Sequence, residues 1–289
     1  MTLSILGVIF GSCDSLIYED LEDCPQGVYV KFYSMTPCDA DSTFLGEVGK
    51  LTLFAFDEQG LLAATHEEAN ANLTKDYEVL VPVRHGTYTF VAWAGLNDKF
   101  DVSDYKVGTT TRDDVMATLK SADGLAAQLG QDRVYQGQSR AVSLADPAIF
   151  GTEYKYTAVN LREMTNRVKL IVEVDHENTI NKLPNANDIQ VAVKSANGTV
   201  RVDGTTTRKA TQLEYPARDT QLGSADVAEW NFSLMDLVTG LNNDLELSYY
   251  NEETEDVEYF FDETGGIVDL IGMILLERLD NTSGGVSLA

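Results

Sequence analysis

Alternation of apolar and polar positions begins at Gly27, where Val28, Val30 and Phe32 point one way and Tyr29, Lys31 and Tyr33 the other, the period of a strand with one face buried. The same period recurs along the chain. Lys50 to Asp57 (KLTLFAFD) predicts a strand closed by the turn Asp57-Glu58-Gln59-Gly60, with Leu61 to His66 as its hairpin partner. Tyr77 to Val83 and Thr87 to Ala94 (TYTFVAWA) predict another pair joined by Arg84-His85-Gly86, and Pro82, which has no N–H to give a ladder, places its strand at an edge or at its own end. Strands are also expected near Asp132 to Leu144, over Glu153 to Leu161, and over Asn166 to Asp175, where Val168, Leu170, Val172 and Val174 form one apolar face.

The second half repeats the style. Asp188 to Lys194 and Thr199 to Val202 flank Asn197-Gly198, which predicts a tight hairpin. Thr211 to Pro216, Glu229 to Leu237, Asp244 to Tyr250 and Val257 to Asp262 continue the series, while Gly266 to Leu279 fits strand or helix equally. One short helix is expected at Thr111 to Lys120, where acidic residues in the first turn and Lys120 near the end match the helix macrodipole. Many short strands at spacings of about 8–12 residues, with helix confined to connections, argue for an all-β chain of antiparallel sandwiches rather than βαβ units. A length of 289 residues suits two domains, 13–157 and 158–289, with the boundary near Lys155 to Val159.

The first 38 residues follow another logic and hold all three cysteines. Leu3 to Phe10 has the length of a signal-peptide apolar region, so residues 1–12 are expected to be a lipoprotein signal peptide, with Gly11 and Ser12 preceding a lipidation cysteine, Cys13. Phe10 stands where Leu is usual, and no Lys or Arg precedes the apolar run, which leaves a start upstream open. A buried N-terminal strand ending in an inert Cys13 is the competing reading. Export would put the chain in an oxidising compartment and license a Cys24–Cys38 disulfide closing a loop of about 15 residues, worth about 3 kcal/mol in the chain-entropy model. Two free thiols are the alternative. No later run approaches the ~20 apolar residues that span a bilayer.

Charge narrows the function. A formal net charge of −25 opposes phosphate binding, so no nucleic-acid partner is expected. His66-Glu67-Glu68-Ala69-Asn70 begins like a zinc-protease HExxH but has Asn where the second ligand belongs. Asp39-Ala40-Asp41 begins like a calcium loop, but Phe44 and Lys50 replace its glycine and bidentate Glu. With no phosphate cradle and no serine elbow, neither enzyme activity nor a cofactor is expected. Trp93 and Trp230 lie on alternating strands, where core packing competes with a sugar-stacking surface.

Taken together, Cys13, the leader Leu21-Glu22-Asp23-Cys24-Pro25, Cys38, LTLFAFDEQG (Leu51 to Gly60), the run Gly86 to Gly95, and Asn160-Leu161 with Asn166-Arg167-Val168 resemble the FimB/Mfa2 family of fimbrial anchor lipoproteins from Bacteroides-type bacteria. The resemblance implies two transthyretin-like sandwiches and a non-enzymatic surface protein of the outer membrane. Its acyl chains on Cys13 would be its anchor, a fimbria (type V pilus) would grow from it, and its partners would be fimbrial (pilin) subunits. A glycan-binding surface lipoprotein and a stalk or tip fimbrillin are the alternatives. Stalk subunits of this kind lose a first strand to a trypsin-like protease and accept a neighbour's strand in its place, which is β-augmentation. Here no Arg or Lys occurs between Cys13 and Val30, so the first strand is expected to stay. The resemblance implies further strands after the segment matching Gly266 to Leu279; either those strands are missing here, which would leave an unpaired edge, or something shorter replaces them.

Overall fold

A computed structural model describes residues 24–176, 184–207, 211–223, 225–261 and 266–279. The signal peptide and Cys13 lie outside these. The first strands in chain order are β1 (Gln26–Tyr33), β2 (Gly46–Asp57), β3 (Leu62–Leu73), β4 (Glu78–Pro82) and β5 (Gly86–Ala94). The turn between β2 and β3 is made locally: Asp57 Oδ1 accepts from the N–H groups of Gln59 (3.0 Å) and Leu61 (2.8 Å). Pro82 is the last residue of β4, which is an edge strand, as its missing N–H requires.

A connection follows with β6 (Phe100–Val102), β7 (Met116–Leu119), β8 (Ser121–Ala122) and β9 (Leu125–Ala126). The helix expected at Thr111 to Lys120 is not formed. Asp114 Oδ2 accepts from Thr111 Oγ1 (2.6 Å) and Thr111 N (3.0 Å), which closes a single 3-10 turn at Arg112–Asp114. From there Val115, Ala117 and Leu119 alternate into the core, a period of two that outweighs the charge pattern.

Next come β10 (Tyr135–Gln138), β11 (Val142–Leu144), the short helix α1 (Pro147–Phe150), β12 (Glu153–Asn160), β13 (Arg162–Glu163) and β14 (Thr165–Glu173). The remainder comprises β15 (Ile189–Ser195), β16 (Thr199–Arg201), β17 (Leu213–Tyr215), β18 (Ala217–Leu222), β19 (Val227–Met235), β20 (Asp244–Asn251), β21 (Asp256–Tyr259), β22 (Ile267–Asp269) and helix α2 (Leu270–Leu279). The ambiguous run Gly266 to Leu279 is thus both strand and helix, and the switch falls where Asp269 Oδ1 accepts from Ile271 N at 3.0 Å.

The Asn197-Gly198 hairpin is also overturned. β15 lies between β17 and β20, and β16 pairs instead with β7. The Asn197 side chain is fully buried: Nδ2 donates to the carbonyls of Met235 (3.0 Å) and Asp236 (3.1 Å), and Oδ1 accepts from the Tyr215 hydroxyl (2.6 Å). These buried bonds decide the backbone course here.

The sheets enclose two cores. In the first, Val28, Val30 and Phe32 of β1 and Val79 and Val81 of β4 face Leu51, Leu53 and Ala55 of β2 and Phe90 and Ala92 of β5. The opposite faces of β2 and β5, with Phe54, Phe56, Val91 and Trp93, close a second core with Val115, Leu119, Tyr215, Trp230 and Phe232. Burial on both faces is why KLTLFAFD and TYTFVAWA are nearly continuous apolar runs. The strands β6 to β9 join the second core through β7 with β16 and β9 with β17. Most pairs are antiparallel, but β1 runs parallel to β12 over all eight of its residues.

Candidate functional site

The first strand is the element on which an anchor and a stalk subunit would differ. β1 is the central strand of the order β12-β1-β4, parallel to β12 and antiparallel to β4. Burial of Val28, Val30 and Phe32 contributes an upper estimate of about 6 kcal/mol to holding it. The first Lys or Arg of the chain is Lys31, and it lies inside β1, opposite Ala158 on one side and Glu78 on the other. A protease must bind its substrate backbone extended and unpaired, and at Lys31 both backbone edges face neighbouring strands. The ion pair from Lys31 Nζ to Glu78 Oε2 (3.6 Å) is exposed and adds less than about 1 kcal/mol.

The chain enters β1 at one end of the sandwich, beside a cleft of about 490 Å³ lined by Cys24, Gln26, Arg84, His85, Asp146 and Pro147 among others. Gln26 Nε2 donates to Ala145 O (2.8 Å), tying β1 to the segment before α1, and its buried Oε1 meets no partner among the described residues. Cys24 and Cys38 stand as free thiols in this structure, and the expected disulfide is not shown. The reason is the strand between them. Cys24 precedes the first residue of β1, whereas Ser34 pairs with Thr43 and closes a hairpin loop that holds Cys38 past its last, so the two thiols lie at opposite ends of the strand. What holds β1 is sheet pairing and burial.

Neither tryptophan is available to a sugar. Trp93 is 3% exposed and Trp230 6%, and the Trp93 indole packs edge-on to Phe54 at 5.7 Å. The exposed aromatic surface lies elsewhere, on the outer face of the first-strand sheet. There Tyr29 stacks on Tyr156 at 5.0 Å and tilts against Tyr154 at 5.9 Å, with Leu80 alongside. The signal for it is present in EYKYTAVN, where Tyr154 and Tyr156 sit two apart on one strand face. A second apolar feature was missed altogether. Ile149 and Phe150 on α1 are 73% and 69% exposed, the highest among the large hydrophobic residues described.

The near-motifs are dispersed. His66 to Asn70 lies on β3, where positions four apart are about 13 Å from each other. Asp39 Oδ2 accepts from Thr36 N (2.6 Å), and that backbone hydrogen bond holds its carboxyl below the usual range. No group of three His, Cys, Asp or Glu side chains among the described residues could hold a metal ion.

Glu67 is the titratable group with the clearest local control. The Tyr105 hydroxyl donates to Glu67 Oε1 and holds its carboxyl below the usual value, with Lys50 (Nζ to Oε2, 3.1 Å) adding to the effect. A lowered carboxyl stabilises the fold above its ordinary value near 4.5, and that contribution disappears as the pH falls through the folded-state value. Tyr105→Phe is expected to move the Glu67 midpoint upward in a carbon-13 NMR titration. An unmoved midpoint would assign the shift to Lys50 instead.

The comparisons with known proteins agree with this geometry. A family model described as "Fimbrillin-A associated anchor proteins Mfa1 and Mfa2" matches residues 21–282. The chain is 32% identical over 239 residues to the minor fimbrium anchoring subunit Mfa2 of Porphyromonas gingivalis, covering 82% of this chain and 71% of that protein. The solved structure of the fimbrial anchor protein Mfa2 from Porphyromonas gingivalis aligns with TM-score 0.76 and 30% identity over 90% of this chain and 86% of its own. A candidate polysaccharide-binding protein from Bacteroides thetaiotaomicron aligns with TM-score 0.68 at 20% identity, covering 91% of this chain and 86% of its own, and so shares the fold. The chain belongs to the family of fimbrillin-A associated anchor proteins Mfa1 and Mfa2.

Proposed function

We propose that this chain is a non-enzymatic subunit, acylated on Cys13 after removal of residues 1–12, that attaches a fimbria to the outer membrane and limits its length. The observation that carries the reading is the position of β1, central in its sheet with its first basic residue already inside the ladder. A subunit that keeps its own first strand has no vacant place for a neighbour's strand there, so it terminates a fibre rather than extending it. The name of the relative, an anchoring subunit, supports the same role. One acyl chain binds a membrane only marginally, so stable anchoring takes a Cys13 that carries more than one.

Metabolic labelling with a fatty-acid analogue tests the reading. Wild type is expected to be labelled and to retain fimbriae on cells, and Cys13→Ala to lose the label and shed fimbriae into the medium. Loss of label with fimbriae still attached would separate acylation from attachment and overturn the proposal. Release of β1 by a trypsin-like protease followed by polymerisation would make the chain a stalk subunit instead.

A further inference from the structure

We infer that the tip formed by α1, with Ile149 and Phe150, is a second membrane contact that inserts into the bilayer beside the acylated N-terminus. The inference rests on the anchor reading for the presence of a bilayer, and on three observations for the surface that meets it. The first is exposure. A four-residue helix presents two large apolar side chains to water, and no strand or core claims them.

The second observation is place. Cys24, where the described chain begins, and Asp146 and Pro147, which open α1, line one cleft. Gln26 is hydrogen-bonded to Ala145 there, and β12, which follows α1, starts opposite Gln26. The end of the body nearest Cys13 in sequence is therefore the end that carries the apolar pair.

The third is tether length. Ten residues, Asp14 to Asp23, separate Cys13 from Cys24. Even fully extended they reach at most about 40 Å. The tether thus confines its entry end to the neighbourhood of the bilayer, and α1 with it. Tyr154, two-fifths exposed on the next strand, adds an aromatic ring of the kind found at membrane–water boundaries.

The occupant is the lipid acyl–headgroup boundary rather than an anionic headgroup recognised by charge. The protein carries −25, so its body is repelled by an anionic surface. Insertion must come from apolar burial, and salt, by screening the repulsion, is expected to preserve or deepen it.

The test uses the acylated full-length chain bearing Phe150→Trp, reconstituted in vesicles of phosphatidylethanolamine and phosphatidylglycerol doped with a phosphatidylcholine brominated near the headgroup. Trp93 and Trp230 are buried out of reach of the brominated lipid, so their emission, recorded on wild type, is a constant background to subtract. The added indole is expected to shift to the blue on vesicles and to lose most of its emission to the brominated lipid. Phe44→Trp, beyond the far end of β1, is expected to keep the emission it has in water.

An indole at position 150 that stays unshifted and unquenched in protein that is labelled and floats with vesicles overturns the inference and leaves the anchor reading standing. Absence of both label and flotation overturns the two together. Quenching abolished by salt would replace insertion with headgroup attraction. A blue shift obtained with fimbrial subunits in the absence of vesicles would assign the tip to a protein partner.

Discussion

Asn197→Ala is expected to lower the unfolding free energy by about 3 kcal/mol, because it breaks three hydrogen bonds of a fully buried side chain at once. Asn197 is fully buried, with donors satisfied by Met235 O and Asp236 O and its acceptor by the Tyr215 hydroxyl. Truncation leaves those carbonyls and a buried hydroxyl donor short of partners and opens a small void. For a chain of this size the loss lowers the melting temperature by about 10 °C. Tyr215→Phe removes one bond of the three and is expected to cost about half as much. Because the two residues share that bond, the double variant is expected to lose less than the sum, by at least about 0.5 kcal/mol. Asn197→Asp aims a carboxylate at two carbonyls and is expected to be at least as damaging as alanine. Urea denaturation followed by tryptophan fluorescence measures all four, and an Asn197→Ala loss below about 1 kcal/mol would contradict the role given to this side chain.

Gly137→Ala is expected to destabilise by about 3 kcal/mol for a different reason, the absence of room. Gly137 lies on β10 opposite Ala92 of β5, where β12 crosses close behind it. A Cβ at this position would lie 2.0 Å from the carbonyl oxygen of Asn160 and 2.6 Å from its carbon. The backbone there cannot retreat cheaply. Asn160 is clamped to Met35 by two hydrogen bonds, Met35 N to Oδ1 (3.0 Å) and Nδ2 to Met35 O (2.9 Å). Gly49→Ala on β2 is the matched control, since its Cβ would meet nothing within 4 Å. It is expected to be neutral or slightly stabilising, by less than about 1 kcal/mol. Equal losses for the two variants in calorimetry would show that glycine at 137 serves something other than the close approach of β10 and β12.

Much of the fold was legible because its signals are local. The turn at Asp57 to Gly60 is written in side chains that bond their own backbone within four residues, and it formed where expected. The edge position of the strand ending at Pro82 follows from a missing N–H. The apolar face of Val168, Leu170, Val172 and Val174 follows from the pleat, and the two tryptophans took the core positions that alternating strands favour. At Thr111 to Lys120 the charge placement suits a helix, but the alternation of Val115, Ala117 and Leu119 into the core gains more burial and makes a strand. Of the candidate site, the lack of a basic residue ahead of the first strand was visible directly. The exposed Tyr154 and Tyr156, packed against the half-buried Tyr29, are present in the sequence as letters but not as a surface.

The sequence by itself determined that the chain is built of strands, where most of them start and stop, which face of each is apolar, and the likeness that places it among fimbrial anchors. Those properties depend on neighbours a few residues apart, through side-chain period and turn chemistry. Only the tertiary structure decided which strands pair. It set β1 parallel to β12, gave the Asn197 side chain to three distant partners instead of a hairpin, and kept Cys24 and Cys38 apart with a strand between them. It also buried both faces of β2 and β5 and left Ile149 and Phe150 in water beside the entry of the chain. The physical reason is range: partner choice and burial are settled by contacts between residues far apart in sequence, where a strong local preference yields to a larger gain in packing and hydrogen bonding.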